Sequence, residues 1–204
     1  MEMLLDLWLP ILLSAVACFV FSSIAWMVLP HHKPDMKAVP DHDALASALK
    51  GLNLKPGFYF YPNCNDSKDM KSDEFKKRWN DGPWGTLNIF PKTPSFPLNL
   101  GVIFAEFLLV SIFVAYLAGH AFTGNPAPEY LDVFQIVGTA GVLGYVFGSI
   151  GGNAFMGMSA RFTLMCTIDA VVFALLTAGI FSWLWPEAAI AIDPGSITLP
   201  GATP

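Results

Sequence analysis

LNLGVIFAEFLLVSIFVAYLAGHAF, residues 98–122, is the stretch that decides the fold of this chain. Glu106 is its only acidic residue, and it contains no Lys or Arg. A helix of ~20 apolar residues, rising ~1.5 Å per residue, crosses the ~30 Å hydrocarbon core of a bilayer. The stretch therefore predicts a transmembrane helix, which we call span two.

Three other apolar runs have a comparable length, and they predict further transmembrane helices. They are span one at 4–29, span three at 131–150 and span four at 162–185. The composition agrees, because 54% of the residues are hydrophobic and only 13% are charged, against about 25% charged in soluble domains. We therefore predict an all-α membrane protein with four transmembrane helices. The lipid bilayer is the first partner that this prediction implies for the protein.

The polar segment 31–97 separates spans one and two and predicts a small α+β unit. Asp41 suits the N-cap of a helix, and Pro56 and Pro62 bracket an aromatic run typical of a strand. The predicted elements are a helix at 41–49, a strand at 57–61, a helix at 72–79 and a strand at 85–90.

The basic residues predict the orientation. Ten of the eleven Lys and Arg lie in 31–97, and the last, Arg161, lies between spans three and four. The positive-inside rule then places the 31–97 unit in the cytoplasm, both termini outside it, and 186–204 as a flexible extracytoplasmic tail. We expect a multi-pass membrane protein with this orientation.

Two acids lie within the predicted spans. Glu106 and Asp169 each fall about eight residues from the cytoplasmic end of their span, or ~12 Å deep. Asn99, Glu106, Phe113 and His120 recur at seven-residue spacing, which we interpret as an inward-facing side of span two.

These acids have two interpretations. With Asn99, they could form a proton or cation site, since neighbouring carboxylates raise each other's pKa and can share a proton or bind a metal. Alternatively, each acid is neutral or hydrogen-bonded to helix neighbours or a partner subunit. Arg161 is an ion-pair partner only if it reaches inward. The structural role is favoured.

Small residues form a stripe along span three: Ala140, Gly144, Gly148 and Gly152. Such four-residue spacing lets a second helix approach closely. The stripe would serve a dimer or partner interface or a glycine-lined pore, or it would pack inside the four-helix bundle, which we favour.

No cofactor or catalytic site is predicted. The predicted topology separates His120 from His31 and His32 by nearly the whole membrane, which disfavours a bis-histidine haem. His31, His32, Asp41, His42 and Asp43 match no metal-site template, and an interfacial cluster near lipid headgroups is favoured over a metal site. The three cysteines form no CxxC, and the net charge of −5 gives no reason to expect nucleic-acid binding.

Two stretches carry a family resemblance: FSSIAWMVLPHHK at 21–33, the exit of span one, and the run from Ile168-Asp169-Ala170 to Trp183-Leu184-Trp185-Pro186, the end of span four. They resemble a bacterial four-span inner-membrane protein family with no assigned function. The resemblance implies a bacterial inner-membrane setting, and it brings no activity, cofactor or catalytic residue.

We therefore expect a non-catalytic accessory or scaffold subunit of a larger membrane complex, with partner subunits or copies of itself. The alternative is a small proton, cation or metal transporter that uses Glu106 and Asp169. A lipid-modifying enzyme lacks support, because the sequence offers it no nucleophile or metal constellation.

Overall fold

The computed structural model describes residues 2–64, 66–123 and 128–186, and this part of the chain is mostly helical. It forms two compact units: a membrane unit, Met1–Asp35 with Pro97–Pro204, and an inserted unit, Met36–Phe96. The tail predicted at 186–204 lies outside the described residues from position 187 onward.

The α-helices, in chain order, are α1 (Glu2–Asp6), α2 (Trp8–Met27), α3 (His42–Gly51), α4 (Asp73–Asp81), α5 (Phe96–Ala121), α6 (Tyr130–Tyr145), α7 (Phe147–Phe155) and α8 (Ala160–Trp183). Four helical stretches are long and apolar enough to cross a membrane. They are α2, α5, the α6–α7 pair and α8, which correspond to spans one, two, three and four. The prediction of four apolar spanning helices is thus confirmed.

Span three is longer than predicted and consists of two helices. The break falls at Val146, whose N–H still bonds to the carbonyl of Val142. The second helix ends at Phe155 and is followed by Gly157, whose φ of +72° glycine adopts without strain. The N–H groups of Gly157 and Met158 bond back to the carbonyls of Ala154 and Asn153, the Schellman pattern of a helix end.

Helices α6 and α8 form the closest helix pair, because small residues face each other. A Cβ atom at Gly141 would lie 3.1 Å from the Cα of Ala174, and one at Gly138 would lie 3.5 Å from the Cβ of Ala178. Val137 and Phe181 are fully buried beside them. Close backbone approach of this kind gives the packing contacts that hold helices together where lipid is the solvent.

A second contact joins α2, α5 and α8. Cys18 of α2 lies 3.6 Å from the hydroxyl of Thr177 on α8. The ring of Phe107 on α5 packs edge-to-face on Phe173 of α8, with centroids 4.9 Å apart. Span four is therefore the helix that both span one and span three contact.

The inserted unit contains α3, α4 and a two-stranded antiparallel sheet. Strands β1 (Gly57–Tyr61) and β2 (Gly85–Ile89) pair with Gly57 opposite Ile89 and Tyr61 opposite Gly85. Asp41 caps α3 by accepting a hydrogen bond from the N–H of Ala44. The predicted helices and strands of this segment are confirmed. The unit begins at residue 36 rather than 31, because 31–35 pack with the spanning helices.

The close approach at Gly141 predicts a strong effect of adding a side chain there. We expect Gly141→Leu to lower the thermal unfolding temperature by several degrees, since overpacking a tight contact costs about 1–3 kcal/mol. Gly101→Leu is the matched control, because a Cβ at Gly101 meets no described atom within 4 Å. Thermal unfolding in detergent measures both, and equal unfolding temperatures would contradict the packing.

Candidate functional site

A 3₁₀ turn, Pro30–Asp35, follows span one and turns back onto span four. Its sequence, PHHKPD, places His31, His32 and Asp35 on one short segment. The turn contacts both α2 and α8. It thereby brings two imidazoles and a carboxylate against a helix that lies more than 120 positions further along the chain.

Asp169 is the centre of this cluster. It lies in the third turn of α8 and is only 4% exposed. One oxygen, Oδ1, lies 3.1 Å from Nε2 of His31, and the other, Oδ2, lies 2.8 Å from Nε2 of His32. Both oxygens of this buried carboxylate therefore have an imidazole partner, as a buried charge requires.

His32 is held from three directions. Its ring is 1% exposed and stacks on the indole of Trp26 at 4.0 Å between centroids, with an angle of 8° between the planes. Its Nδ1 lies 3.3 Å from Oδ2 of Asp35, while its Nε2 faces Asp169. The orientation of the imidazole is thus fixed by stacking and by a carboxylate at each nitrogen.

Arg161, in the first turn of α8, hydrogen-bonds to the 3₁₀ segment Pro30–Asp35. Its guanidinium donates one hydrogen bond to Oδ1 of Asp35 and another, at 2.7 Å, to the carbonyl oxygen of His31. Ser159 caps the same helix end by accepting from the N–H of Phe162 at 3.0 Å. The guanidinium therefore contacts two residues of the 3₁₀ turn at once.

The charge of Asp35 is set by its neighbours. Its side chain is 2% exposed, and burial by itself raises the pKa of a carboxyl group. The hydrogen bonds and positive charge supplied by Arg161 and His32 outweigh that effect and hold the pKa of Asp35 below its ordinary value. Asp35 is therefore an ionised acceptor near neutral pH.

Both nitrogens of His32 face carboxylate oxygens. A neutral imidazole has one N–H donor and one acceptor nitrogen. The ring can therefore donate to one carboxylate only, and its other nitrogen presents a lone pair toward a carboxylate oxygen. A cation between those two acceptors would satisfy both.

The structure does not bring the two predicted acids together. Asp169 is engaged by His31 and His32, whereas Glu106 and Asn99 are exposed on α5. Arg161 pairs with Asp35. A proton or cation function of Glu106 stays a prediction.

The seven-residue face of span two is exposed in the part of the chain that the structure describes. Asn99, Glu106, Phe113 and His120 are all exposed, so the expectation that this face turns inward is wrong for the chain by itself. The buried residues of α5 instead combine small side chains with two larger ones: Phe107, Ser111, Val114, Ala115, Ala118 and Gly119. The small ones allow neighbouring helices to approach on this side.

Only some residues of the glycine stripe contact other helices among the described residues. A Cβ at Gly144 would lie 3.1 Å from Val110 of span two. Ala140 packs against the buried core, whereas a Cβ at Gly148 or Gly152 meets no described atom within 4 Å. An interface with another chain at those two glycines stays a prediction.

The other histidine positions fall elsewhere. His42 and Asp43 lie in the first turn of α3 in the inserted unit, and Asp41 is its cap. His120 contacts Tyr116 of its own helix, at 2.9 Å from Nδ1 to the carbonyl oxygen.

Sequence reasoning missed the joining of His31, His32, Asp35, Arg161 and Asp169. One signal was present: two adjacent histidines, an acid three positions after the second, and an Arg and Asp eight positions apart. The chain separation hid the pairing, because no local pattern links the end of span one to span four.

Four apolar helices of spanning length support a multi-pass membrane protein, with a small α+β unit inserted after the first span. Comparison with known protein families, curated proteins and solved structures finds no match to this chain.

Removal of the central carboxylate tests the cluster. We expect Asp169→Ala to lower the free energy of unfolding by about 3 kcal/mol, since it leaves the nitrogens of His31 and His32 without their hydrogen-bond partner. Asp6→Ala, at an exposed acid of the same unit, should change it by less than about 1 kcal/mol. Denaturation in mixed micelles measures both; an equal effect would contradict the role of Asp169.

The lowered pKa of Asp35 predicts an acid dependence. A carboxyl group whose pKa is lower in the folded state than in the unfolded state stabilises the fold at pH values above its ordinary pKa of 3.8. That stabilisation is lost as the pH falls through the folded-state pKa. The gap in unfolding temperature between Arg161→Ala and the parent protein should therefore be full at pH 6 and shrink as the pH falls below 3.8. Scans across this range measure the difference, and a gap independent of pH would contradict the ion pair.

Proposed function

We propose that this protein is a subunit of a membrane assembly, which it joins through the outer face of span two. The observation that carries the proposal is the exposure of Glu106 on an apolar helix of membrane-spanning length. An ionised side chain in the hydrocarbon core costs about 2.5–3.5 kcal/mol even on insertion scales. A partner that covers Glu106 removes that cost.

The residues around Glu106 support a specific contact. Asn99, Glu106, Phe113 and His120 follow one another at intervals of seven, the period of helices that pack as a left-handed coiled coil. Three of these four residues can hydrogen-bond across a helix interface. Polar groups at such positions fix register and partner number rather than adding stability.

The inserted unit supports the same proposal. It exposes large aromatic side chains, including Phe58 at 54%, Trp84 at 59% and Phe90 at 59%. Aromatic residues are enriched in protein interfaces and sparse on free surfaces. We place this unit in the cytoplasm of a bacterium, on the positive-inside argument, with the docking of a second subunit as its role.

The transport alternative loses its main support. It needs Glu106 and Asp169 at one site, and Asp169 already has an imidazole at each oxygen. An accessory or scaffold role accounts for Glu106 without requiring a path through the bundle.

Cysteine cross-linking tests the assembly. In a background with Cys64 and Cys166 changed to Ser, we expect Phe113→Cys to form a disulfide-linked or bifunctionally cross-linked product in native membranes. Phe113 is 66% exposed at the centre of the proposed face. Gel migration and mass spectrometry identify the product as a second copy or another polypeptide.

Leu175→Cys is the matched control. Leu175 is 50% exposed on α8, well into its span, and lies outside the proposed face. Random collisions would cross-link both positions alike. Equal cross-linking at the two positions, or none at Phe113→Cys, would remove the basis of the proposal, whereas loss of the Phe113→Cys product on adding Glu106→Leu would support it.

A further inference from the structure

We propose that His31, His32 and Asp169 form a binding site for one divalent first-row transition-metal ion, which ties the exit of span one to span four. This inference goes beyond the assembly role and does not depend on it. Its basis is the placement of two imidazole nitrogens and a carboxylate around one point. The three donor atoms all lie within 4.8 Å of one another.

The spacing of the donors fits a metal. Zinc and its neighbours bind imidazole nitrogen and carboxylate oxygen at about 2.0–2.2 Å. Neighbouring ligands at such bond lengths, in tetrahedral or octahedral geometry, are about 2.9–3.5 Å apart. The separations from Nε2 of His31 and of His32 to the oxygens of Asp169 are 3.1 and 2.8 Å. These two separations are close to the spacing of neighbouring metal ligands, and the third, between the two imidazole nitrogens, is within 4.8 Å. The side chains must therefore adjust to close around an ion.

The residues around His32 orient its imidazole as a metal ligand. Histidines that bind metals generally donate from their second nitrogen to a carboxylate or carbonyl, which fixes the tautomer. Asp35 supplies that acceptor at Nδ1 of His32 and is itself held by Arg161. Nε2 of His32 is thereby presented as the ligand atom, while stacking on Trp26 fixes the plane of the ring.

The donor set selects the class of ion. Two imidazoles and one carboxylate suit Zn²⁺, Fe²⁺, Co²⁺ or Ni²⁺, whereas Mg²⁺ and Ca²⁺ prefer all-oxygen sites. Three protein ligands leave positions for water or an exogenous ligand. The side chain of His31 is 23% exposed, so it gives the site a side open to solvent.

A metal titration tests the site. The purified full-length chain, with Cys64 and Cys166 changed to Ser to remove thiolate ligands, is titrated with Zn²⁺ and with Mg²⁺ by calorimetry in detergent. We expect one saturable Zn²⁺ site per chain and no Mg²⁺ site. A parallel Co²⁺ titration should give a visible absorption spectrum of nitrogen and oxygen ligation.

Two variants and one control decide the location. His31→Gln removes the most exposed ligand and should weaken Zn²⁺ binding at least tenfold. Asp35→Asn should weaken it about ten- to a hundredfold, as expected for a residue that orients a ligand. His42→Gln, at an exposed histidine of α3, should bind as the parent does. Thermal unfolding without metal verifies that each variant is folded.

Each result of the Zn²⁺ titrations either supports the proposed site or overturns it. A single Zn²⁺ site that is lost in His31→Gln, weakened in Asp35→Asn and kept in His42→Gln supports the proposal, as does a rise in unfolding temperature with Zn²⁺ that His31→Gln abolishes. Absence of saturable Zn²⁺ binding by the parent chain overturns it. So does binding that His31→Gln leaves unchanged, because the ion would then lie elsewhere.

Discussion

The buried carboxylate of Asp169 is the constraint on which the rest of the membrane unit depends. A carboxylate in the third turn of an apolar helix must find donors within the protein, because hydrocarbon supplies none. The 3₁₀ turn after span one delivers those donors as His31 and His32. The end of span one is therefore set by the electrostatics of span four, and Arg161 and Asp35 extend the same network to the start of that helix.

Two kinds of helix surface result from this arrangement. Where the spans meet each other, small residues such as Gly141, Ala174 and Ala178 permit close contact. Where span two faces away from the chain, it presents Glu106 among large apolar side chains. Small residues at helix contacts and large apolar side chains on the outer surface are expected where lipid offers no hydrophobic drive between helices.

The sequence predicts the elements well because each depends on local chemistry. Apolar length defines the spans, Asp41 and the prolines at 56 and 62 delimit a helix and a strand, and the structure places all of these within a few residues of the prediction. Which side of each helix is buried was less predictable. A seven-residue period identifies one side of span two but not whether the chain or a partner covers it. The cluster at Asp169 was hidden for a different reason, since its members come from opposite ends of the chain.

The separation of the cluster along the chain has a consequence for biosynthesis. His31 and Asp169 are 138 positions apart, and Asp35 and Arg161 are 126 apart. Span one therefore leaves the ribosome and enters the bilayer long before its partner residues exist. Until span four has been made, His31 and His32 lack Asp169, and the partners within reach of the turn are Trp26, Asp35, water and headgroups. Spans one and four can therefore join through this cluster only after span four has been inserted.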